Sequence, residues 1–514
     1  MKRKTLIRLI LVVLALPVLA VLITILVMQF RHPLPARAVA QPLPGNEKAW
    51  WLDQPPLTSN EVAAQQWFAD ITYRLPPERN DDFWDVGGSQ HGNFAIRYQA
   101  AFSGYAAAAF GMRTPAYAGL TRRIISNTVM RIADRKAWSY VKSYWSDESW
   151  FPDPCACGNV MYTGHLMMLM ALHEALSGDP SFNRAGVDLV WDENNRFNYT
   201  TKRLADVTAK QIRAGDGGIT CEPGLVFFAC NNHPHVTFRL LEGMDYGDWR
   251  AESEKWEKWA LAGLRATAGG GAFRLVQHEK SGLSLPRGLP GFDGWCLLWY
   301  SPWASDPENL HHLWELSLRN IDWSLFEGEP NEAPESVEMQ DCCNPIKIPA
   351  SAQGSFLAAA ARACGDGQTA GKLENWLDKH FLKVSGQRQW MTTNPEWQIG
   401  VSANRAIALA QAEGSDLRAM IRRPLPREYF NGLLLDRVIP DDTPVYQAIR
   451  NANGDLLLEL DGRGREIRLF LRNLQSRPEI TASPDVGWNW KSEENTLILD
   501  ACERVTLKIS ESES

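Results

Sequence analysis

Gly218-Ile219-Thr220-Cys221-Glu222-Pro223-Gly224-Leu225-Val226-Phe227-Phe228-Ala229-Cys230-Asn231 sets two thiols nine positions apart, with a carboxylate beside the first and an amide beside the second. The spacing is too long for a Cys-x-x-Cys redox turn and lacks the paired knuckles of a zinc site. A thiol in this setting acts as nucleophile, or as proton donor and acceptor, once its pKa is tuned. The same pattern also suits a disulfide or two buried apolar thiols.

Other residues enlarge the chemistry. Asn159-Val160-Met161-Tyr162-Thr163-Gly164-His165-Leu166 opens a helix, with Asn159 expected as its N-cap and Tyr162 and His165 one turn apart on one face. Gly164 costs a helix about 1 kcal/mol, so its presence implies a close packing partner. A lone histidine on so apolar a helix also reads as a satisfied core residue. Asp70, in Trp67-Phe68-Ala69-Asp70-Ile71-Thr72-Tyr73, becomes a general acid or base if it is half-buried among those rings. On an outer helical face it would be an ordinary solvated carboxylate. No metal motif, phosphate-cradling glycine loop or serine elbow occurs, which leaves cofactor-free acid-base or thiol chemistry.

The bulk properties narrow the class. The chain has 514 residues, 45% of them hydrophobic and 22% charged, as in ordinary globular proteins. Its net charge of −7 carries no basic footprint for nucleic acid. Nine cysteines leave at least one thiol unpaired, and Cys155-Ala156-Cys157 and Cys342-Cys343 are awkwardly close for pairing within themselves. Met1-Lys2-Arg3-Lys4 precedes an apolar run, and Leu9 to Met28 is about the 20 residues that cross a bilayer. The positive-inside bias puts the N-terminus in the cytoplasm and the rest outside it. An uncleaved single-pass anchor is favoured over a cleaved signal ending near Ala38-Val39-Ala40.

Four regions follow: a tail and anchor over 1–31, a Pro- and Ala-rich linker over 32–56, a helical block over 57–424, and a small antiparallel β domain over 425–514. In the block, apolar positions recur at three and four through about a dozen candidate helices. Among them are Glu61–Tyr73, Ala95–Gly111, Pro115–Arg131, Val160–Leu176, Asn232–Glu242 and Asp293–Trp303. An (α/α)6 barrel is the economical way to close so many consecutive helix pairs. Gly454–Gly462, Arg465–Leu471, Thr496–Asp500 and Arg504–Ile509 alternate apolar and polar residues as strands do.

Assembled, these residues resemble the linalool dehydratase-isomerase family. Asn-Val-Met-Tyr-Thr-Gly-His-Leu at 159–166 is similar to the family's Asn-Ile-Met-Tyr-Lys-Gly-His-Leu. Gly-Ile-Thr-Cys-Glu-Pro at 218–223, with Cys230-Asn231 following, is similar to its Gly-Ile-Val-Cys-Glu-Pro and second Cys-Asn at equal spacing. Gly271-Ala272-Phe273, His278 to Gly282 and Trp295 keep the register, and the resemblance runs from about 60 to 424.

The resemblance implies an (α/α)6 barrel assembled as a ring of subunits, with an apolar channel near a subunit boundary and no cofactor. It implies interconversion of geraniol and linalool and dehydration of linalool to myrcene. By motif the catalytic cysteines fall on Cys221 and Cys230 and the site histidine on His165. The acid-base aspartate, contributed by a neighbouring subunit, falls on Asp70 by spacing. Tyr98, Tyr162, Met161, Glu222, Phe292 and Trp295 are the expected substrate-binding residues, and no metal ligand is implied. The chain departs from the family at 290–295, where Pro-Gly-Phe-Asp-Gly-Trp stands for Ala-Tyr-Thr-Thr-Ala-Trp and Gly291 replaces the tyrosine. The stretch from Leu75 to Asn93 also lacks the family's Pro-Phe-Tyr segment.

The expectation is therefore a membrane-anchored, homo-oligomeric hydro-lyase or isomerase facing away from the cytoplasm and acting on a small apolar alcohol. Its first rival is a glycoside hydrolase or polysaccharide lyase on the same barrel, using Asp147, Glu148 or Asp153 with Trp platforms. The second is a non-catalytic envelope binding protein, for which a Cys221–Cys230 disulfide would speak.

Overall fold

The computed structural model describes residues 15–16, 19, 49–74, 95–264, 271–284, 290–319, 321, 323–326, 349–393, 395–412, 417–474 and 476–511. The chain is mainly helical, with a β region at its C-terminal end. Among the described residues the helices of eleven residues or more are α1 (Ser59–Ala69), α2 (Ala95–Arg113), α3 (Ala118–Ala133), α4 (Val160–Ser177), α5 (Thr201–Ala214) and α6 (Phe228–Gly243). They continue with α7 (Arg250–Gly263), α8 (Pro290–Tyr300), α9 (Pro307–Ser317), α10 (Ala350–Ala363), α11 (Gly367–Phe381) and α12 (Pro395–Ala412).

The even-numbered helices close a cycle. α2 packs on α4, α4 on α6, α6 on α8, α8 on α10, α10 on α12, and α12 returns to α2. The odd-numbered helices lie against this ring: α3 on α2 and α4, α5 on α4 and α6, and α11 on α10 and α12. The side chains account for the division. α4 is buried along its whole length, and α10 everywhere except Arg362. A helix that is apolar all round must be surrounded. α5 instead buries Thr201, Leu204, Ala205, Thr208, Ala209 and Ile212, a single stripe at three-and-four spacing.

Ring contacts are close where glycine permits. A Cβ on Gly164 of α4 would sit 2.9 Å from Pro234 Cδ and 3.2 Å from His233 Cβ of α6. The close partner implied by Gly164 is therefore α6. A Cβ on Gly291 of α8 would meet Gln353 Cα of α10 at 2.6 Å. That contact explains glycine at the position where the family pattern carries tyrosine.

Several boundaries differ from the sequence expectations. α6 begins at Phe228 rather than Asn232, so Cys230 is helical rather than part of a loop. Pro234 lies inside α6; lacking an N–H, it leaves the Cys230 carbonyl without its intrahelical donor. Asn159 is not a side-chain cap. Its backbone is left-handed (φ 54°), and its amide joins Tyr140 Oη (2.5 Å) and the Pro154 carbonyl (3.0 Å) instead. Gly111, expected to end a helix, lies within α2, where a Cβ would meet Thr121 Oγ1 at 2.7 Å.

Among the described residues of the helical block, six short strands were not anticipated. β1 (Val187–Val190) pairs with β2 (Arg196–Tyr199), β3 (Leu225–Val226) with β4 (Gln277–His278), and β5 (Leu382–Ser385) with β6 (Arg388–Met391), all antiparallel. The C-terminal sheet contains β7 (Leu434–Ile439), β8 (Val445–Arg450), β9 (Leu456–Arg472), β10 (Pro478–Ser483), β11 (Trp488–Lys491) and β12 (Thr496–Glu511). Its spine is the antiparallel pair of long strands β9 and β12. Alternate residues of β9 are buried, as an amphipathic strand requires. The sheet docks on the helices by backbone bonds from Leu435 to Ala116 and from Ala116 to Ala448.

The anchor expected over Leu9–Met28 lies almost wholly outside the described residues, as do most of the linker, the Leu75–Asn93 stretch, Cys342 and Cys343. Among the described residues no helix is long and apolar enough to cross a membrane.

Candidate active site

The site forms where the loop carrying Cys221 is fastened to the first turn of α6. The Asn231 side chain accepts from the Ile219 N–H (2.9 Å) and donates to the Ile219 and Phe227 carbonyls (3.0 and 2.9 Å). Cys221 N–H donates to the Leu225 carbonyl (2.8 Å) and Leu225 N–H to the Glu222 carbonyl (2.9 Å), closing a tight turn. Gly224 takes the turn's left-handed position at φ 73°, where a side chain would be strained. The loop is also tied to α4, because Val160 N–H donates to the Thr220 carbonyl (3.1 Å).

These anchors bring Cys230 Sγ to 3.1 Å from Cys221 Sγ, with both thiols buried and free. Burial pushes the Cys221 thiol well above its usual pKa. Cys230 and Glu222 add to that rise, and the Arg97 guanidinium opposes it. Burial also raises the Glu222 carboxyl, against the pull of Arg97 and a hydrogen bond with Cys221. Arg97 lies over the rings of Tyr98 (4.6 Å) and Tyr140 (4.8 Å) and donates to Tyr98 Oη (2.9 Å).

A second group of rings continues inward. His165 Nδ1 lies 2.7 Å from Tyr105 Oη, and the His165 ring centroid lies 4.2 Å from that of His233. His233 sits three residues after Cys230, on the same face of α6. Burial first, then His233 and Arg97, hold His165 well below the usual histidine pKa, and burial lowers His233 to about 3. Both imidazoles are therefore neutral near pH 7. Tyr98 meets His165 and Trp295 edge-on, each at 5.7 Å, while Trp295 stacks on Phe356 at 5.2 Å. Tyr98 is also close enough to both cysteines and Glu222 to feel their charge.

The expected residues thus fall into groups. Cys221, Cys230, Glu222, Tyr98, His165 and Trp295 are linked by direct contacts, ring contacts or mutual electrostatics. Met161 is buried on α4 one turn before His165, and Phe292 is half-buried on α8 one turn before Trp295. Tyr162 donates its hydroxyl to the Ile132 carbonyl of α3 (3.0 Å), on the outer side of α4. Asp70 stands beyond the end of α1, its side chain 32% exposed, in ion pairs with Arg74 (3.0 Å) and Arg388. None of its ion pairs or hydrogen bonds reaches the cysteines. Asp147 and Glu148 are exposed, and Asp153 is held by Tyr199 Oη (2.7 Å) and the Cys155 N–H (3.0 Å).

Arg97, Tyr105 and His233 were not singled out from the sequence. His233 had a readable signal, since it follows Cys230 by one helical turn. Arg97 and Tyr105 needed the packing of α2 against α4. Past Tyr105 and Trp299, between the C-terminal ends of the ring helices, lies a mostly apolar pocket that is partly open to solvent. Met112, Met168, Leu172 and Met420 also line it.

Residues 97–393, more than half of the chain, match the family described as linalool dehydratase/isomerase. The chain belongs to the linalool dehydratase/isomerase family. The matched span of this family member contains both cysteines, Glu222, His165, His233 and Trp295. Asp70 and the C-terminal sheet lie outside it. Solved structures similar to it include an unsaturated glucuronyl hydrolase from Bacillus sp. GL1, described as responsible for glycosaminoglycan degradation (12% identity, 70% of this chain, 97% of that one, TM-score 0.44). Another is an unsaturated glucuronyl hydrolase specific for heparin (10%, 69% and 97%, TM-score 0.43). A third is an inactive variant of an alpha-1,6-mannanase of Salegentibacter sp. HEL1_6 with bound alpha-1,6-mannotriose (11%, 71% and 100%, TM-score 0.38).

Proposed function

We propose that this protein is a hydro-lyase or isomerase of small, largely apolar alcohols such as linalool and geraniol, working by thiol and carboxyl acid-base chemistry without a cofactor. One observation carries the reading. Two buried thiols 3.1 Å apart, beside a half-buried carboxyl, sit close to the ring cluster of Tyr98, His165 and Trp295.

Removing water from an allylic alcohol requires an acid at the hydroxyl, a base for the proton lost from carbon, and walls that exclude solvent from cationic carbon. Glu222, its carboxyl pKa raised by burial against the pull of Arg97, suits the acid. It protonates the hydroxyl, the C–O bond breaks, and water departs. The Cys221 thiol, kept protonated by burial, passes its S–H proton to the Glu222 carboxylate as its sulfur takes the proton from the adjacent carbon. Glu222 and the thiol are thereby both protonated again, as at the start. Tyr98 and Phe102 each pack against both His165 and Trp295, and a desolvated ring face stabilises a cation by roughly 1–2 kcal/mol. His165 donates from Nε2 to the hydroxyl oxygen.

In the same reading the closed cycle of even-numbered helices is the inner wall of an (α/α)6 barrel. A homo-oligomeric ring, and an anchor at Leu9–Met28 that holds the domain outside the cytoplasm, belong to the proposal as well. The carbohydrate reading is less well supported, because its carboxylates are exposed or already engaged by Tyr199.

The test incubates reduced protein with linalool and with geraniol and follows hydrocarbon and isomer by gas chromatography, with Cys221→Ala and Cys230→Ala alongside. Turnover by the wild type that both variants lose supports the reading. Turnover retained by both removes the thiols from the mechanism.

A further inference from the structure

His233 is buried in the ring interior, and neither of its ring nitrogens has a hydrogen-bond partner in the protein. His165 Nε2 and the indole nitrogens of Trp295 and Trp299 are likewise buried and without a protein partner. All four rings belong to one cluster, with His233 centroids 4.2 Å from His165, 5.5 Å from Trp299 and 6.5 Å from Trp295. A buried polar atom left unsatisfied costs about 1–3 kcal/mol, and apolar side chains of similar shape would avoid that cost. Four such groups within one ring cluster point to an oxygen-bearing ligand.

The protonation pattern defines its chemistry. Tyr105 Oη and His165 Nδ1 share one hydrogen bond of 2.7 Å, and we assign the protonated hydroxyl as its donor. A neutral imidazole that accepts at Nδ1 carries its proton on Nε2, so His165 offers a donor to the interior. His233, also neutral, offers one donor and one acceptor. A donor on one ring and an acceptor on its neighbour, with no charge on either, match a neutral O–H group rather than an anion.

We infer that His165 and His233 together form an oxygen-binding subsite for a neutral hydroxyl, either that of the substrate alcohol or that of water, with His165 donating and His233 accepting. The inference rests on the proposed alcohol chemistry and adds His233 to it. Placement supports it from a second side. Gly164 lets α4 approach α6 closely at His233, and His233 is one turn from Cys230. The oxygen is thereby held on the thiols' side of the ring, where the C–O bond must break.

The test uses the full-length reduced protein and follows quenching of tryptophan fluorescence by linalool and by myrcene, which lacks the hydroxyl. The wild type should prefer the alcohol by about tenfold, the worth of one good hydrogen bond. His233→Phe should reduce that preference to about twofold or less while leaving myrcene affinity unchanged, and His233→Asn should retain part of it. The second arm is a crystal structure of the wild type without alcohol. It should show water bonded to a nitrogen of His165 and of His233, displaced when linalool is soaked in. A His233→Phe variant that keeps the full alcohol preference overturns the subsite, as does a structure with no oxygen at either imidazole. If the wild type turns over linalool while failing the binding arm, the subsite is wrong and the proposed function stands. If water occupies the subsite but no terpenoid binds, the substrate class is wrong and the subsite stands.

Discussion

Cys230 Sγ lies 3.1 Å from Cys221 Sγ, within hydrogen-bonding reach for thiols yet well beyond a covalent S–S bond of about 2.05 Å. Two free thiols that close are one oxidation away from being joined. We expect mild oxidant to link them and abolish turnover, and added dithiothreitol to restore it, read as free-thiol titre beside activity. Cys221→Ala, which has no turnover to lose, should show no dithiothreitol-reversible loss of the Cys230 thiol in the titre. Oxidised protein that keeps full activity would show that the thiols are spectators.

Glu222→Gln keeps the size and removes the ionisable proton. We expect kcat for dehydration to fall by about 10^2–10^4-fold, the usual contribution of a positioned acid or base, with little change in melting temperature. A fall in KM alone would place Glu222 outside the chemistry.

Asn231 fastens the Cys221 loop through three hydrogen bonds. Asn231→Ala should cost about 1–3 kcal/mol in denaturant unfolding, because the Ile219 N–H and carbonyl lose their partner in the interior. Activity should fall further than stability, since the two sulfurs would lose their fixed separation. Equal activity at temperatures where the variant is folded would count against that view.

Gly164→Ala places a methyl 2.9 Å from Pro234 Cδ. Overpacking of this kind costs about 1–3 kcal/mol. We expect a lowered melting temperature together with a lowered kcat, because the displaced residues include His233.

Acid should destabilise the fold through its buried histidines. Burial lowers His233 and His235 to about 3 and His173 to about 4, from an ordinary 6.5. Between pH 6.5 and those values the unfolded chain binds protons that the folded chain refuses, so stability falls as pH drops through that window. Each histidine contributes at most about 1.4 kcal/mol per pH unit there. Melting curves at pH 7, 6 and 5 should show a progressive decline. In His233→Phe and His235→Phe the decline should be shallower.

Much of this protein was legible without coordinates because its signals are local. Periodicity of three and four marked the helices, alternation marked the C-terminal strands, and the spacing of Cys221, Glu222, Cys230 and Asn231 marked a segment whose two thiols the fold brings together. A boundary such as the start of α6 was not legible, because Pro234 reads as a helix end. It is tolerated only because the packed ring holds α6 in place around it.

Local chemistry along the chain decided which residue types were present, since a thiol, a carboxyl or a histidine brings its reactivity wherever it is placed. Tertiary structure decided which of them meet. The ring of even-numbered helices, closing through glycine contacts at Gly164 and Gly291, brought residues from α2, α4, α6 and α8 into one interior and set His233 against His165. It left Asp70 at the periphery between Arg74 and Arg388, since burial and pairing are properties of packing and no sequence spacing encodes them.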